Sequence, residues 1–401
     1  MIIKIIFKNL FHKPLNTLLS VVLLSLSVGI ISLLLLLQQQ LEQKFENDLR
    51  DIDLVVGAKG SPLQLVLSAV YHVDAPTGNI PAAAVDTIRQ MRSVKQVIPL
   101  AYGDSYQRFR ILGTDTSYVG KYRATLREGR LFQDNLDVVL GATVANSTGL
   151  LVGQTFFGTH GDAETGEKHE QAAYRVVGIL MPTNSVLDNL LLTNVASVWL
   201  VHEHDGPAGD IHGEHEQPDA ESHEITAALV KVRSTMAVMT LPRLLNETTN
   251  LQATIPALEI NRLMKMLGIG VATLQALAMG IMFISGFSVF IALYNRLRER
   301  RYELALMRSL GCSRLRLFGM LVSEGVLLAL AGFAGGIVLS RTALWLLNST
   351  AAQDFHLVFR YNFIPAEGIL MTITLVVGLM AALIPALKAF RMNLSTALAD
   401  A

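Results

Sequence analysis

Residues 14–41 read PLNTLLSVVLLSLSVGIISLLLLLQQQL, 28 positions without a charged side chain. About 20 apolar residues suffice to cross the hydrocarbon core of a bilayer, so this stretch predicts a membrane span. A secretory signal has an apolar region of about 7–15 residues followed by a small-residue cleavage site, whereas this longer run ends in Gln38, Gln39 and Gln40. The segment is therefore expected to stay attached as an anchor. Three further stretches have the same character: 266–295 with no charge, 318–340 with Glu324 inside it, and 368–387. Composition agrees. Hydrophobic residues are 51% of the 401, charged residues only 16% against roughly 25% in soluble domains, and the mean hydropathy is +0.41. An ordinary cytosolic enzyme is excluded on these grounds.

Charge placement gives the expected orientation, because short flanks rich in Lys and Arg stay on the cytoplasmic side. Lys4, Lys8 and Lys13 precede the first span, seven arginines lie within 296–316 after the second, and Lys388 and Arg391 follow the fourth. Both termini are then cytoplasmic. The expected layout is an interfacial segment over 1–13, spans over 14–37, 266–295, 317–347 and 367–387, an outside domain over 38–265, a cytoplasmic segment over 296–316, an outside loop over 348–366 and a cytoplasmic tail over 388–401. Within 1–13, Lys4, Lys8 and His12 recur every four positions among Ile, Leu and Phe, a pattern suited to a helix in the headgroup plane; plain continuation of the first span is the alternative. Thirty-three basic residues balance 33 acidic ones, so no global field favours nucleic acid. The single cysteine, Cys312, excludes an internal disulfide and a multi-cysteine zinc site.

The outside region carries mixed signals. Segments 94–100, 106–112, 138–140, 174–180, 196–201 and 227–232 are apolar or β-branched and bounded by turn formers, while 81–91 and 234–246 read as helices. The fold class expected is a membrane protein with four transmembrane α-helices and a large α+β domain between the first two. Lobe boundaries near Asp115 and Ser197 would set off a β-rich insert containing the glycine-rich stretch 141–166.

Residues 296–316 read RLRERRYELALMRSLGCSRLR. Arg296, Glu299, Arg300 and Glu303 share a helical face by spacings of three and four, with Leu297, Leu304 and Met307 elsewhere, and Gly311 is placed to end the helix. Positive-inside anchoring alone explains the arginines. It does not explain the interleaved glutamates or an amphipathic helix closed by glycine, which favour a partner-docking helix.

At this point the chain resembles the FtsX/MacB-like permeases, membrane subunits of ABC transporters that include the LolC and LolE proteins. The resemblance rests on RERRYELALMRSLG (298–311), Ser323-Glu324-Gly325, GFAGG (332–336) and PALKAF (385–390) followed by 394–398, in one-plus-three topology over essentially the whole chain. It implies a homodimeric or pseudo-dimeric permease, with an identical or paralogous partner in the bacterial inner membrane. Such a permease passes ATP-driven movement to its periplasmic domain rather than conducting substrate through its own spans. It also implies that Arg298, Glu299, Arg300, Glu303, Leu304, Met307, Arg308 and Gly311 form a coupling helix on a separate cytosolic ATPase. ATP and Mg²⁺ would bind that partner, since no Gly-x-x-x-x-Gly-Lys-Ser/Thr run exists in this chain; Gly57-Ala58-Lys59-Gly60-Ser61 has the composition without the order. Glu324, a costly residue in a span, is expected to snorkel or pair with a nearby arginine, or else to lock a dimer or relay movement.

Five of ten histidines, His202, His204, His212, His215 and His223, fall in the loop 202–224 with eight acidic residues, and no Lys or Arg occurs from 176 to 230. Imidazole and carboxylate together suit Zn²⁺. No His-Glu-x-x-His helix is present, and Gly206, Pro207, Gly209, Gly213 and Pro218 argue for a tether, so a transient zinc-collecting or zinc-sensing loop is weighed against a solvated acidic loop. The functions in competition are an ABC permease, serving metal acquisition, lipoprotein release or peptide or small-molecule efflux; a membrane-anchored periplasmic hydrolase, for which no nucleophile motif is found; and a membrane-anchored sensor or adhesion module. A periplasmic binding protein and membrane lipids complete the candidate partners.

Overall fold

The computed structural model describes residues 14–159, 168–203, 223–350 and 360–391. They form two units, Glu42–Lys265 and Met1–Leu41 with Met266–Ala401. Helix α1 (Pro14–Asp48) outruns the expected first span by some ten residues.

The larger unit opens with β1 (Leu54–Ala58), α2 (Pro62–Ala69), β2 (Ile80–Pro81), α3 (Ala83–Arg89) and the long β3 (Val94–Tyr106). There follow β4 (Phe109–Thr114), α4 (Thr116–Lys121), β5 (Leu126–Gly129), β6 (Asp137–Leu140), α5 (Ala142–Thr148), β7 (Thr155–Thr159) and β8 (Lys168–Leu180). It closes with β9 (Leu190–Asn194), α6 (Val195–Glu203), β10 (Glu224–Ile225), β11 (Ala227–Val232), α7 (Thr235–Thr248) and β12 (Leu251–Thr254). Ten strands form one mixed sheet in the order β12-β1-β11-β3-β4-β9-β6-β8-β5, with β7 pairing β3 and β8; β4–β9 and β6–β8 are parallel.

Side chains alternate across a strand, and here each face carries its own core. Val55, Ile98 and Leu229 pack with Leu65 and Val66 of α2 and Tyr118 of α4. Their neighbours Leu54, Val56, Val97 and Val230 pack on the opposite side with Ile88 of α3, Val198 of α6 and Leu241 and Leu245 of α7. A strand buried on both faces reads as a near-continuous apolar run, and β11 reads AALVKV, interrupted at the half-buried Lys231. Lobes split at Asp115 and Ser197 are not set apart, because β3 pairs β11 with its first half and β4 with its second.

Two segments depart from expectation. Residues 106–112 are not one strand: Gln107 takes φ +54 and Tyr106 pairs with Phe109, a tight hairpin turn. Residues 196–201 lie in α6 rather than a strand. The side chain of Asn194 accepts from the Ser197 amide (2.7 Å) and from its hydroxyl (2.6 Å), a local cap that turns a short, ambiguous apolar run into a helix.

Beyond the sheet, α8 (Pro256–Glu299) starts ten residues before the expected second span, and α9 (Arg301–Ser309), α10 (Arg314–Thr350) and α11 (Pro365–Phe390) follow. Among the described residues four helices are long and apolar enough to cross a membrane: α1, α8, α10 and α11. Lipid offers little hydrophobic drive for their association, so close packing of small residues has to supply it. A Cβ on Gly336 of α10 would stand 2.6 Å from Val28 of α1, and one on Gly378 of α11 the same distance from Ala329.

His72, at φ +56, places its two ring nitrogens 2.8 Å from the hydroxyls of Tyr102 and Tyr118. Burial, reinforced by Arg110 and Lys121, pushes its pKa down to about 3. The unfolded chain takes up a proton near pH 6.5 and the folded chain does not, so acid favours unfolding. Lowering the pH from 7 to 5 should cost about 2 kcal/mol through this one group. The thermal midpoint of His72→Gln should fall less over that interval than that of the wild type.

Candidate functional site

Where α8 ends, Arg300 leaves helical geometry (φ −101, ψ 18) and α9 begins one residue later. The expected single helix over 298–311 is thus two pieces with Arg300 as the joint. Gly311, at φ +96, terminates α9; the Cys312 amide reaches back to the Met307 carbonyl at 3.0 Å, and the Ser313 hydroxyl accepts from the Arg316 amide to start α10. Only glycine adopts such a turn without strain.

One face of α9 is committed inward. Leu304 and Ala305 are buried, and Leu304 joins Leu297, Leu317, Met320, Leu321, Ala386 and Ala389 in an apolar cluster with Met307 and Cys312 at its edge. The other face carries an apolar ridge with helical spacing of four: Tyr302, Leu306 and Leu310 are 50%, 45% and 80% exposed. Arg298, Glu299, Arg301 and Glu303 flank it in solvent, and Glu303 approaches Arg300 at 3.7 Å. Of the residues expected to meet a partner, Leu304 faces inward and Met307 and Arg308 are half-buried. Tyr302, Leu306 and Leu310 were missed, although their i, i+4, i+8 spacing was present in the sequence.

Below this joint Glu324 is buried and forms an ion pair with Arg296, whose guanidinium also donates to Thr17. The pair links α1, α8 and α10 and lines a cleft of about 100 Å³ with Arg300, Glu303 and Met307. A second network was not foreseen, because Glu367 was assigned to the edge of the fourth span. It lies in the first turn of α11, fully buried, and accepts from Ser32 (2.6 Å), Arg341 (2.9 Å) and the Ile364 amide (3.2 Å). With its one proton on Glu367, the Ser32 hydroxyl accepts from that of Ser340 at 3.0 Å, so α1, α10 and α11 meet at one carboxylate.

The remaining sequence candidates are placed as follows. His204, His212 and His215, and the segment 1–13, lie outside the described residues; of His202 only the backbone is described, in α6. His223 stacks on Trp199 with 4.2 Å between ring centroids. Among the described residues no group of three potential metal ligands occurs. The 57–61 stretch is a strand-to-helix turn in which Ser61 caps α2.

A family model described as the MacB-like periplasmic core domain matches residues 17–238, and one for the FtsX-like permease C-terminal region matches 276–394. The first alone covers more than half of the chain. The protein belongs to the FtsX/MacB-like permease family of ABC transporters. Similar solved structures include the periplasmic region of MacB from Actinobacillus actinomycetemcomitans, 16% identical, covering 55% of this chain and 98% of that one with a TM-score of 0.36. The extracellular domain of the noncanonic ABC-type transporter YknZ from Gram-positive bacteria is 14% identical, with 51% and 98% covered and a TM-score of 0.32. No curated protein matches the chain. It is therefore a transporter membrane subunit of the bacterial inner membrane, its larger unit a periplasmic domain, from a family that works with a cytosolic ABC ATPase.

Removing one partner of a buried ion pair strands the other, whereas replacing both by apolar groups is often neutral. Arg341→Met should lower stability in detergent by about 3–5 kcal/mol, and Arg341→Met with Glu367→Leu should recover most of the loss, as measured by denaturant midpoints.

Proposed function

We propose that this chain is a permease subunit that couples ATP hydrolysis on a separate cytosolic ATPase to conformational work of its periplasmic domain, with both termini and α9 in the cytoplasm. The observation that carries the reading is the two-faced α9, apolar and fixed on one side, apolar and exposed on the other. An exposed apolar ridge rimmed by charges marks a protein contact, and the charged rim supplies orientation. Arg298, Glu299 and Glu303 form that rim, while Leu304, Arg296 and Glu324 hold the helix against its own unit. A second permease, identical or paralogous, would complete the transporter; lipoprotein release and peptide or small-molecule efflux remain the competing tasks.

Leu306→Asp should abolish co-purification of the ATPase from detergent, and Glu303→Lys should weaken it at least severalfold, with both variants inserted at wild-type levels. Undiminished ATPase recovery and turnover with Leu306→Asp would contradict the docking role.

The composition of residues 202–224 supports an accompanying role in zinc handling. We propose that His202, His204, His212, His215 and His223 bind Zn²⁺ reversibly in the low-micromolar range or weaker, because ordering a glycine- and proline-rich segment offsets part of the coordination energy. Binding should weaken from about pH 7 to pH 5 as imidazole with an ordinary pKa near 6.5 takes up protons. Calorimetry on the full chain should show a site lost when the five are changed to serine; equal binding by both would place the metal elsewhere.

A further inference from the structure

A cleft of about 270 Å³ opens in the periplasmic domain between β3, β11, α4 and the turn after α1. Its polar wall is made by Lys95 and Gln96 of β3, Lys231 of β11, Ser117 and Lys121 of α4, and Asp51. Three lysines and one carboxylate therefore line the same cleft. Asp51 is engaged by Lys231. Among the described residues neither Lys95 nor Lys121 forms an ion pair.

Lys121 is the unusual member. Lysine is almost never fully buried without a partner, yet this side chain is only 7% exposed. Its ammonium donates to the main-chain carbonyl of Asp48 at 3.0 Å and sits 3.6 Å from the centroid of the Tyr122 ring. These neutral contacts do not balance its charge, and burial pushes its pKa down to about 7 despite the attraction of Asp48 and Asp51. An anion in the cleft would reverse that penalty. With Lys121 protonated, three lysines stand against the single carboxylate of Asp51 in the lining, a surplus that suits a phosphate group, whether a free phosphate of about −1.5 to −2 at pH 7 or the singly charged diester of a headgroup. Lysine binds phosphate as a point charge, and the Ser117 hydroxyl and Gln96 amide add neutral donors at the same wall.

We propose that this cleft is a binding site for a phosphate-bearing ligand, held by Lys95, Lys121 and Lys231, with a free phosphate or a phospholipid headgroup as its source. The assignment is independent of ATPase docking by α9, so the two stand or fall separately.

The full chain in a neutral detergent at about 0.1 M salt, where exposed charges are screened beyond roughly 10 Å, is titrated calorimetrically with inorganic phosphate and with glycerophosphoglycerol, a soluble diester headgroup. One saturable site is expected for at least one probe, weakened tenfold or more by Lys95→Gln with Lys231→Gln, two exposed or rim positions whose loss leaves the core intact. Lys121→Met should abolish it, with Lys121→Arg retaining it. Tighter binding of the diester assigns the headgroup as source, and tighter binding of inorganic phosphate assigns the free anion. No saturable binding of either probe by the wild type, or equal binding by the Lys95→Gln/Lys231→Gln protein, would overturn the proposal.

Discussion

A carboxylate inside a membrane helix unit has to find a cation or lose its charge, and the helix unit of this permease is arranged around two such carboxylates. Glu324 takes Arg296 and, through it, Thr17; Glu367 takes Arg341, Ser32 and the amide of Ile364. Each network joins three of the four long helices. In a low-dielectric interior a satisfied pair of this kind fixes geometry, while a half-satisfied one is destabilising. Apolar packing alone would tolerate small rotations and slides of the helices. The two ion pairs, with the close approach of Gly336 to Val28, restrict the register in which α1, α10 and α11 can meet.

The α9 joint depends on the first of these pairs. Arg296 sits one turn before the break at Arg300, and its partner Glu324 lies on the helix that follows the Gly311 turn, so the two arms of the joint are tied across their base. Leu304 and Leu297 then fill the apolar cluster between them. A short helix held this way presents Tyr302, Leu306 and Leu310 without further ordering, which lowers the entropic cost of binding a partner.

Much of this was legible in the sequence. Long runs with little or no charge declare membrane helices because length and apolarity are the property a bilayer selects, and the flanking arginines marked the segment after the second span, though not its break at Arg300. The α+β domain was readable from strands such as β11, whose bounds 227–232 coincide with the sequence segment. Less legible were features settled by tertiary context. The run 196–201 is apolar enough for strand or helix, and only the Asn194 cap decides. Glu367 looked like a boundary residue because nothing in the chain nearby shows that Arg341, 26 positions earlier, reaches it. Helix ends were also hidden, since polar residues such as Gln38–Gln40 and Glu259 continue α1 and α8 past the apolar stretches. The exposed ridge of Tyr302, Leu306 and Leu310 was hidden for a different reason: helical spacing alone does not show which apolar residues of 296–316 the neighbouring helices already cover.

The most direct test places a photo-crosslinking amino acid at Tyr302 on the α9 ridge and, separately, at Tyr361 between α10 and α11, both about half exposed, in cells expressing the complete transporter. The account predicts an ATPase adduct from position 302 and none from 361. An adduct from 361, or the absence of one from 302 with the complex intact, would contradict it.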